Sequence, residues 1–241
     1  RFNGPWTRDD EAHRYGSRYG SRNRNKRSIA LDLNDDADRE TFFQLVETAD
    51  ALVENQRAGV LDRLGAGWEA CHARNPRLVY AAVRGFGDPR TGESPYATWP
   101  AFDPIAQAMG GIVISTGTDE DHIVRAGPPI GDTVPGAMAA LGVVSAVLHA
   151  QKTGEGQFLD VAMVDAMISI STESLTQWSY KGRHQIPMGN SVDGNLPFDI
   201  YPTADGHCAI AAPTTPQFTR LCVLIGRPEL ATDERVRDMR Q

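Results

Sequence analysis

Two periodicities alternate along this 241-residue chain. Ser28-Ile-Ala-Leu-Asp-Leu33 switches between apolar and polar residues with the period of a strand, and the N-cap residues Asn34-Asp35-Asp36 after it predict a helix start. Phe42, Phe43, Leu45, Val46 and Ala49 then recur at helical spacing as far as Asp50. Ala51-Leu52-Val53 reads as a short buried strand ending at Glu54-Asn55. A second helical stretch from Trp68 to Ala73 is broken by Asn75-Pro76, and Leu78 to Val83 is the strongest strand pattern in the chain. Strands alternating with helices predict an α/β fold with a parallel sheet.

Past Gly87 the pattern gives way to a turn-rich loop, Asp88 to Pro95, and then to a predicted helix from Phe102 to Gly110. Such loops are where ligand contacts concentrate. A long apolar helix is predicted from Val134 to Gln151, closed by Thr153-Gly-Glu-Gly156. Gln157 to Val161 is strand-like and leads into a helix from Met163 to Tyr180. Residues 183–197 have the character of a domain boundary or active-site loop. The last segment has a turn at Ala204-Asp-Gly206, a strand from Cys208 to Ala212 and a helix from Thr215 to Ile225, with no internal repeat or low-complexity tract.

Composition excludes several classes. With 41% hydrophobic and 23% charged residues the chain is globular, and its net charge of −7 is ordinary for an acidic soluble protein. Residues 1–30 depart from that balance, with eight basic and three acidic side chains that include Arg14, Arg18, Arg22, Arg24, Lys26 and Arg27. The arm has only Tyr15 and Tyr19 for stacking, and the acidic remainder repels phosphate, so nucleic acid is not the expected partner. Cys71, Cys208 and Cys222 are odd in number and far apart, which excludes a disulfide scaffold and a zinc site. The apolar run Ala137 to Ala150 contains Gly142, Ser145 and His149 and falls short of the ~20 residues of a membrane span. With no signal peptide either, a cytoplasmic protein is expected.

Two constellations carry candidate chemistry. Gly131-Asp132-Thr-Val-Pro-Gly136 precedes the long apolar helix. An Asp there is a plain N-cap, or a carboxylate kept ionised by the helix N-terminus for nucleophilic attack on an activated carbonyl. Spacing does not choose between the two. The loop Gly189-Asn-Ser-Val-Asp-Gly194-Asn-Leu-Pro197 offers backbone N–H groups to an oxyanion, or is an ordinary connection. No GxGxxG, no P-loop and no defensible Ser/His/Asp order occurs.

Longer stretches are more specific. Asn23-Arg-Asn-Lys-Arg-Ser-Ile-Ala-Leu-Asp-Leu33, Ala49-Asp-Ala-Leu-Val-Glu-Asn55, Asn75-Pro-Arg-Leu-Val-Tyr80, Gly85-Phe-Gly87, Pro100-Ala-Phe-Asp-Pro-Ile-Ala-Gln107 and Lys152-Thr-Gly-Glu-Gly-Gln157 occur in order, followed by Tyr201-Pro-Thr-Ala-Asp-Gly206 and Gly226-Arg-Pro-Glu-Leu230. Together they closely resemble family III CoA-transferases, a group that includes formyl-CoA and carnitine CoA-transferases and the α-methylacyl-CoA racemases. The resemblance implies a Rossmann-like large domain over residues 1–182, a linker with the glycine-containing loop over 183–200, the start of a smaller α+β domain over 201–241, and an interlocked homodimer. It also implies a fragment: the chain begins at Arg1, and the family's N-terminal segment and much of its small domain are expected beyond its ends.

Residue by residue, the resemblance places the family's catalytic aspartate at Asp132 and makes Asp165, inside a helical apolar pattern, a decoy. It implies that Asp132 exchanges acyl groups with CoA through an acyl-aspartyl anhydride and an aspartyl-CoA thioester, with Gly189, Asn190 and Gly194 in the lid and oxyanion loop. Ser-Val-Asp stands before Gly194 where formyl-CoA enzymes have a run of glycines, which weighs against formate or oxalate. The implied CoA contacts are Leu31, Asp32, Leu33, Asn34, Asn55, Gln56, Arg57, Arg63 and Phe102. Gln56 often has a different residue in its place in the family, and Pro100 replaces a lysine of the formyl-CoA enzymes. CoA is a substrate, and no metal or other cofactor is expected. The implied partners are an acyl-CoA, a small carboxylic acid and a second copy of the chain, with neither nucleic acid nor membrane. The alternatives are a racemase-like isomerase and a non-catalytic CoA-binding fragment. Racemases carry a histidine where this chain has Phe102, and phenylalanine cannot move a proton.

Overall fold

The structure is a computed structural model, and it describes residues 4–6, 8–13, 15–192 and 197–237. Arg14 of the basic arm and Gly194 of the glycine-containing loop lie outside the described residues. The chain divides into two compact units, Arg1–Gln44 and Leu45–Gln241, each described by itself.

The first unit holds α1 (Ser17–Arg22) and most of α2 (Asp36–Thr48). The strand expected over Ser28 to Leu33 does not form, and these residues belong to neither sheet. Local side chains claim the backbone at its end: Asp38 Oδ2 accepts the Asp32 amide hydrogen at 2.8 Å, and Asp32 Oδ1 accepts that of Asn34 at 3.0 Å. Asp35 Oδ1 then caps α2 by accepting from the amides of Ala37 and Asp38.

The second unit contains β1 (Ala51–Glu54), α3 (Val60–Arg63), α4 (Trp68–Arg74), β2 (Val79–Arg84), α5 (Asp103–Met109), α6 (Ile112–Thr116), α7 (Ile130–Thr153), β3 (Phe158–Ala162), α8 (Met163–Ile170) and α9 (Thr172–Lys181). It continues with β4 (Phe198–Pro202), β5 (His207–Ala211), α10 (Thr215–Leu224), a short 3₁₀ turn (Pro228–Thr232) and α11 (Glu234–Arg237). Strands β1, β2 and β3 form a parallel sheet in that order, with Leu52 beside Tyr80 and Tyr80 beside Phe158. The expected α/β architecture is present. Central β2 is buried from Val79 to Ala82, as its unbroken apolar run requires of a strand covered on both faces.

Strand alternation assigns the two covers. Tyr80 and Phe158 stack at 5.7 Å, and Trp68 of α4 meets them edge-on and tilted at 6.1 and 5.9 Å. Ala81 and Leu159 point to the other face, which α7 covers. There a Cβ on Gly142 would come within 2.8 Å of Leu159 Cδ2, so a larger residue would have to push the Leu159 side chain aside.

Helix α7 starts four residues before its predicted Val134 and runs to Thr153. By length and composition alone it could cross a membrane, which the shorter run Ala137 to Ala150 could not; here it packs along β2 and β3. The helix expected from Met163 to Tyr180 is two helices, because the chain turns at Ser171 (φ −101°, ψ 19°), whose amide hydrogen is shared by the Met167 and Ile168 carbonyls. The breaker Asn75 also has a job: its side-chain amide donates to the Val46 and Ala49 carbonyls at the end of α2, at 2.9 Å each. Strands β4 and β5 form an antiparallel hairpin closed by Thr203 N–H to the Gly206 carbonyl at 2.8 Å. Of that hairpin only the turn and second strand show in the sequence pattern.

Candidate active site

Beyond the carboxyl ends of β1 and β2 lies a cavity of about 470 Å³. Open α/β sheets bind ligands at this end of their strands. The wall is made by Asn55, Gln56, Arg57 and Ala58 after β1, by Val83, Arg84 and Gly85 at the end of β2, by the approach to α5 (Trp99 to Phe102), by Asp132 and Pro135 on α7, and by Met163 at the start of α8. Five of the residues singled out from sequence, Asn55, Gln56, Arg57, Phe102 and Asp132, thus share one cavity.

Asp132 is exposed to this cavity from the first turn of α7, where the partial positive charge of the helix dipole is greatest. It is not the N-cap, which is Pro129. The acceptor at this helix start comes from Asp103, at the start of α5, whose Oδ1 takes the Gly131 amide hydrogen at 2.8 Å. Gln107 Nε2 donates to the same oxygen at 2.8 Å, and Gln107 Oε1 accepts from the Ala126 amide at 2.8 Å. Gly131 is obligatory in this arrangement, since a Cβ there would lie 2.6 Å from the Asp103 carbonyl oxygen. Beneath it, Ala106, Ile112, Met163, Ala166 and Met167 form a core cluster against which Ile130 and Val134 pack. The first turn carrying Asp132 is therefore fixed by a buried carboxylate and by apolar contacts. Pro135 removes the helix hydrogen bond to the Gly131 carbonyl.

The floor is ionic. Arg84, 7% exposed, pairs with Glu54 Oε1 at 2.7 Å and with Asp88 Oδ2 at 2.6 Å. Burial pushes the Glu54 carboxyl above its ordinary range, and the Gln56 amide and Arg84 only partly offset this. At Asp88 burial acts the same way but is outweighed by the Arg90 amide and the Arg84 guanidinium, so its carboxyl lies below the usual carboxylate range. Arg90 extends the cluster to Glu69 at 3.0 Å and to Asp62, and lies 5.6 Å from the centre of the Phe158 ring.

The other predicted contacts do not line this cavity. Arg63 is exposed at the end of α3 and does not line the cavity. Leu31, Asp32, Leu33 and Asn34 belong to the first unit, where Asn34 donates from backbone and side chain to Asp32 Oδ1 and holds that carboxyl below its usual range. Gly189 and Asn190 do not line the cavity either, and the Gly189 amide donates to the Gly117 carbonyl at 2.7 Å. Asp165 is exposed on α8, away from the cavity lining. Sequence reasoning missed Asp103, Trp99 and Arg84. For Arg84 the available signal was a charge at the end of the most apolar strand.

The family model of CoA-transferase family III matches residues 2–241. The chain belongs to that family. Succinyl-CoA:mesaconate CoA-transferase of Haloarcula hispanica is 42% identical over 233 residues, which are 97% of this chain and 59% of that protein. Acetyl-CoA:oxalate CoA-transferase of Acetobacter aceti is 38% identical over 94% of this chain and 59% of its own length. A solved CaiB/BaiF family protein from Brucella suis has the same fold, with a TM-score of 0.77 and 33% identity over 90% of this chain and 56% of that one. This chain therefore spans about three-fifths of the length of these curated relatives.

Proposed function

We propose that this chain carries the nucleophile and part of the CoA site of an enzyme that moves CoA from an acyl-CoA to a small carboxylic acid. The observation that carries the reading is the position of Asp132, on the first turn of α7, in the same cavity as Asn55, Gln56, Arg57 and Phe102. The names of the relatives point to short acyl-CoA donors and small acid acceptors. The proposed large domain is 1–182, with a linker over 183–200 and a small domain starting at 201, and the active form is a homodimer.

An Asp132 carboxylate oxygen attacks the thioester carbonyl carbon. The C–S bond breaks, CoA leaves as a thiolate, and an acyl-aspartyl anhydride is left. The thiolate attacks the aspartyl carbonyl, expelling the donor as its carboxylate and leaving an aspartyl-CoA thioester. The acceptor carboxylate attacks that thioester to form a second anhydride, whose acceptor carbonyl is captured by the thiolate, restoring Asp132. Carboxylate and thiolate suffice for every step, with CoA as substrate. Arg57 and Arg63 would meet phosphate groups of CoA.

Anhydrides hydrolyse readily, so the site needs a cover, and the 189–194 loop is assigned as lid and oxyanion donor. For Gly189 to donate, its amide must exchange the Gly117 carbonyl for the oxyanion. Phe102 at the cavity wall argues against the isomerase, which needs a proton-transferring residue at that position. Asp132→Ala is expected to abolish acyl exchange while Asp165→Asn retains most of it. Equal exchange rates for wild type and Asp132→Ala would refute the mechanism.

A further inference from the structure

The loop after β1 that borders the cavity together with Asp132 is held by side chains. Arg84 Nη1 donates to the Gln56 carbonyl, while Nη2 and Nε of the same guanidinium go to Glu54 and Asp88 at 2.7 and 2.6 Å. The second oxygen of Glu54, Oε2, accepts the Gln56 amide hydrogen at 2.6 Å. The N–H and C=O of Gln56 are therefore gripped by the two members of one buried ion pair, formed between adjacent strands. Asn55 adds a bond from its side-chain amide to the Val83 carbonyl.

A buried ion pair is a poor way to gain stability alone, because desolvating both charges offsets most of their attraction. The neighbours of Arg84 on β2 are Val79, Tyr80, Ala81, Ala82 and Val83, so an apolar end to the strand would have matched its surroundings. What the charges do achieve is a fixed backbone at a loop that β1 has already left. We propose that Arg84, together with Glu54, is a positioning residue that preorganises the Asn55–Arg57 loop for acyl-CoA. Arg84 borders the cavity, but all three of its guanidinium nitrogens are bonded to Asp88, Gln56 and Glu54, so the pair sets how well the thioester substrate binds and leaves the chemistry at Asp132 nearly unchanged. The inference rests on the CoA-transfer reading above.

Lysine at position 84 keeps the charge but is a point donor that cannot span three acceptors in a fork. The test compares wild type, Arg84→Lys and Glu54→Gln of the intact protein by steady-state transfer from succinyl-CoA and by calorimetric binding of free CoA. The thermal transition of each variant shows that it is folded. Glu54→Gln serves as the second variant should Arg84→Lys not fold, since glutamine retains an acceptor for the Gln56 amide while discharging the ion pair. The expected result is a rise of tenfold or more in KM for the acyl-CoA and in Kd for CoA, with kcat within about threefold of wild type. Unchanged KM and Kd in the folded variants overturn the proposal while leaving CoA transfer intact, as does a loss confined to kcat. Wild-type protein that neither binds CoA nor transfers it removes the functional reading first, and the positioning role falls with it.

Discussion

Asp103 Oδ1 accepts the Gly131 amide hydrogen at 2.8 Å, so the first residue of α5 caps the start of α7, 28 residues further on. The capping task that Asp132 would otherwise have is done by a second, buried carboxylate. Replacing Asp103 by Ala leaves the Gly131 amide and the Gln107 side chain without their shared acceptor. Loss of a cap and of buried hydrogen bonds together costs about 2 kcal/mol. Urea unfolding of Asp103→Ala should show that loss, with Asp103→Asn, which keeps an Oδ1 acceptor, falling between it and wild type. Identical midpoints for all three would show that the contact carries no stability.

The Arg84 cluster predicts a dependence on acid. Asp88 has a carboxyl depressed in the folded protein, so its contribution is fully present above the ordinary carboxylate range and is lost as pH falls through its folded value. Glu54 has the opposite sign: its raised carboxyl favours the folded state most at low pH, and that contribution fades as pH rises through the folded value. The Asp88 share is lost below about pH 4, where protonation releases that carboxylate's two arginines. Urea midpoints of wild type should fall between neutral pH and that range, and those of Asp88→Asn should start lower and fall less. Parallel curves would separate Asp88 from the acid response.

Thiol chemistry distinguishes Cys208 from Cys71. Cys208 is exposed on β5, whereas Cys71 is fully buried, donates to the Ala66 carbonyl at 3.3 Å, and has its thiol pushed up to about 11 by burial. At about pH 8 roughly a thousandth of such a group is thiolate, the reactive form. An alkylating reagent followed by peptide mass spectrometry should therefore modify Cys208 in native protein and reach Cys71 only on unfolding. Labelling of Cys71 at the rate of Cys208 would contradict the packing of α4 against the sheet.

Much of this was legible in the chain. The apolar runs 51–53 and 78–83 and the strand-like 157–161 foretell the three parallel strands, most clearly β2, which is buried and needs continuous apolar residues. Ser28 to Leu33 alternates with the period of a strand yet forms none, since alternation specifies a face and cannot supply a neighbour to pair with. At the site, Asp132 and Asn55 to Arg57 were found through segments that resemble the family. Asp103 and Arg84 were not, because their roles exist only across contacts of 28 to 30 residues in sequence. A charged residue inside an apolar strand looks anomalous in a sequence, and only the fold shows which backbone groups it holds.

The central claim is that the Asp132 carboxylate becomes acylated. The direct measurement is to mix the intact protein with succinyl-CoA or acetyl-CoA, quench with hydroxylamine, and map the peptides by mass spectrometry. Hydroxylamine converts an aspartyl anhydride or aspartyl-CoA thioester to a hydroxamate, so the account predicts one modified peptide, carrying the hydroxamate at Asp132. Protein that binds CoA and yields no hydroxamate with either donor, or yields one at another carboxylate, would contradict it.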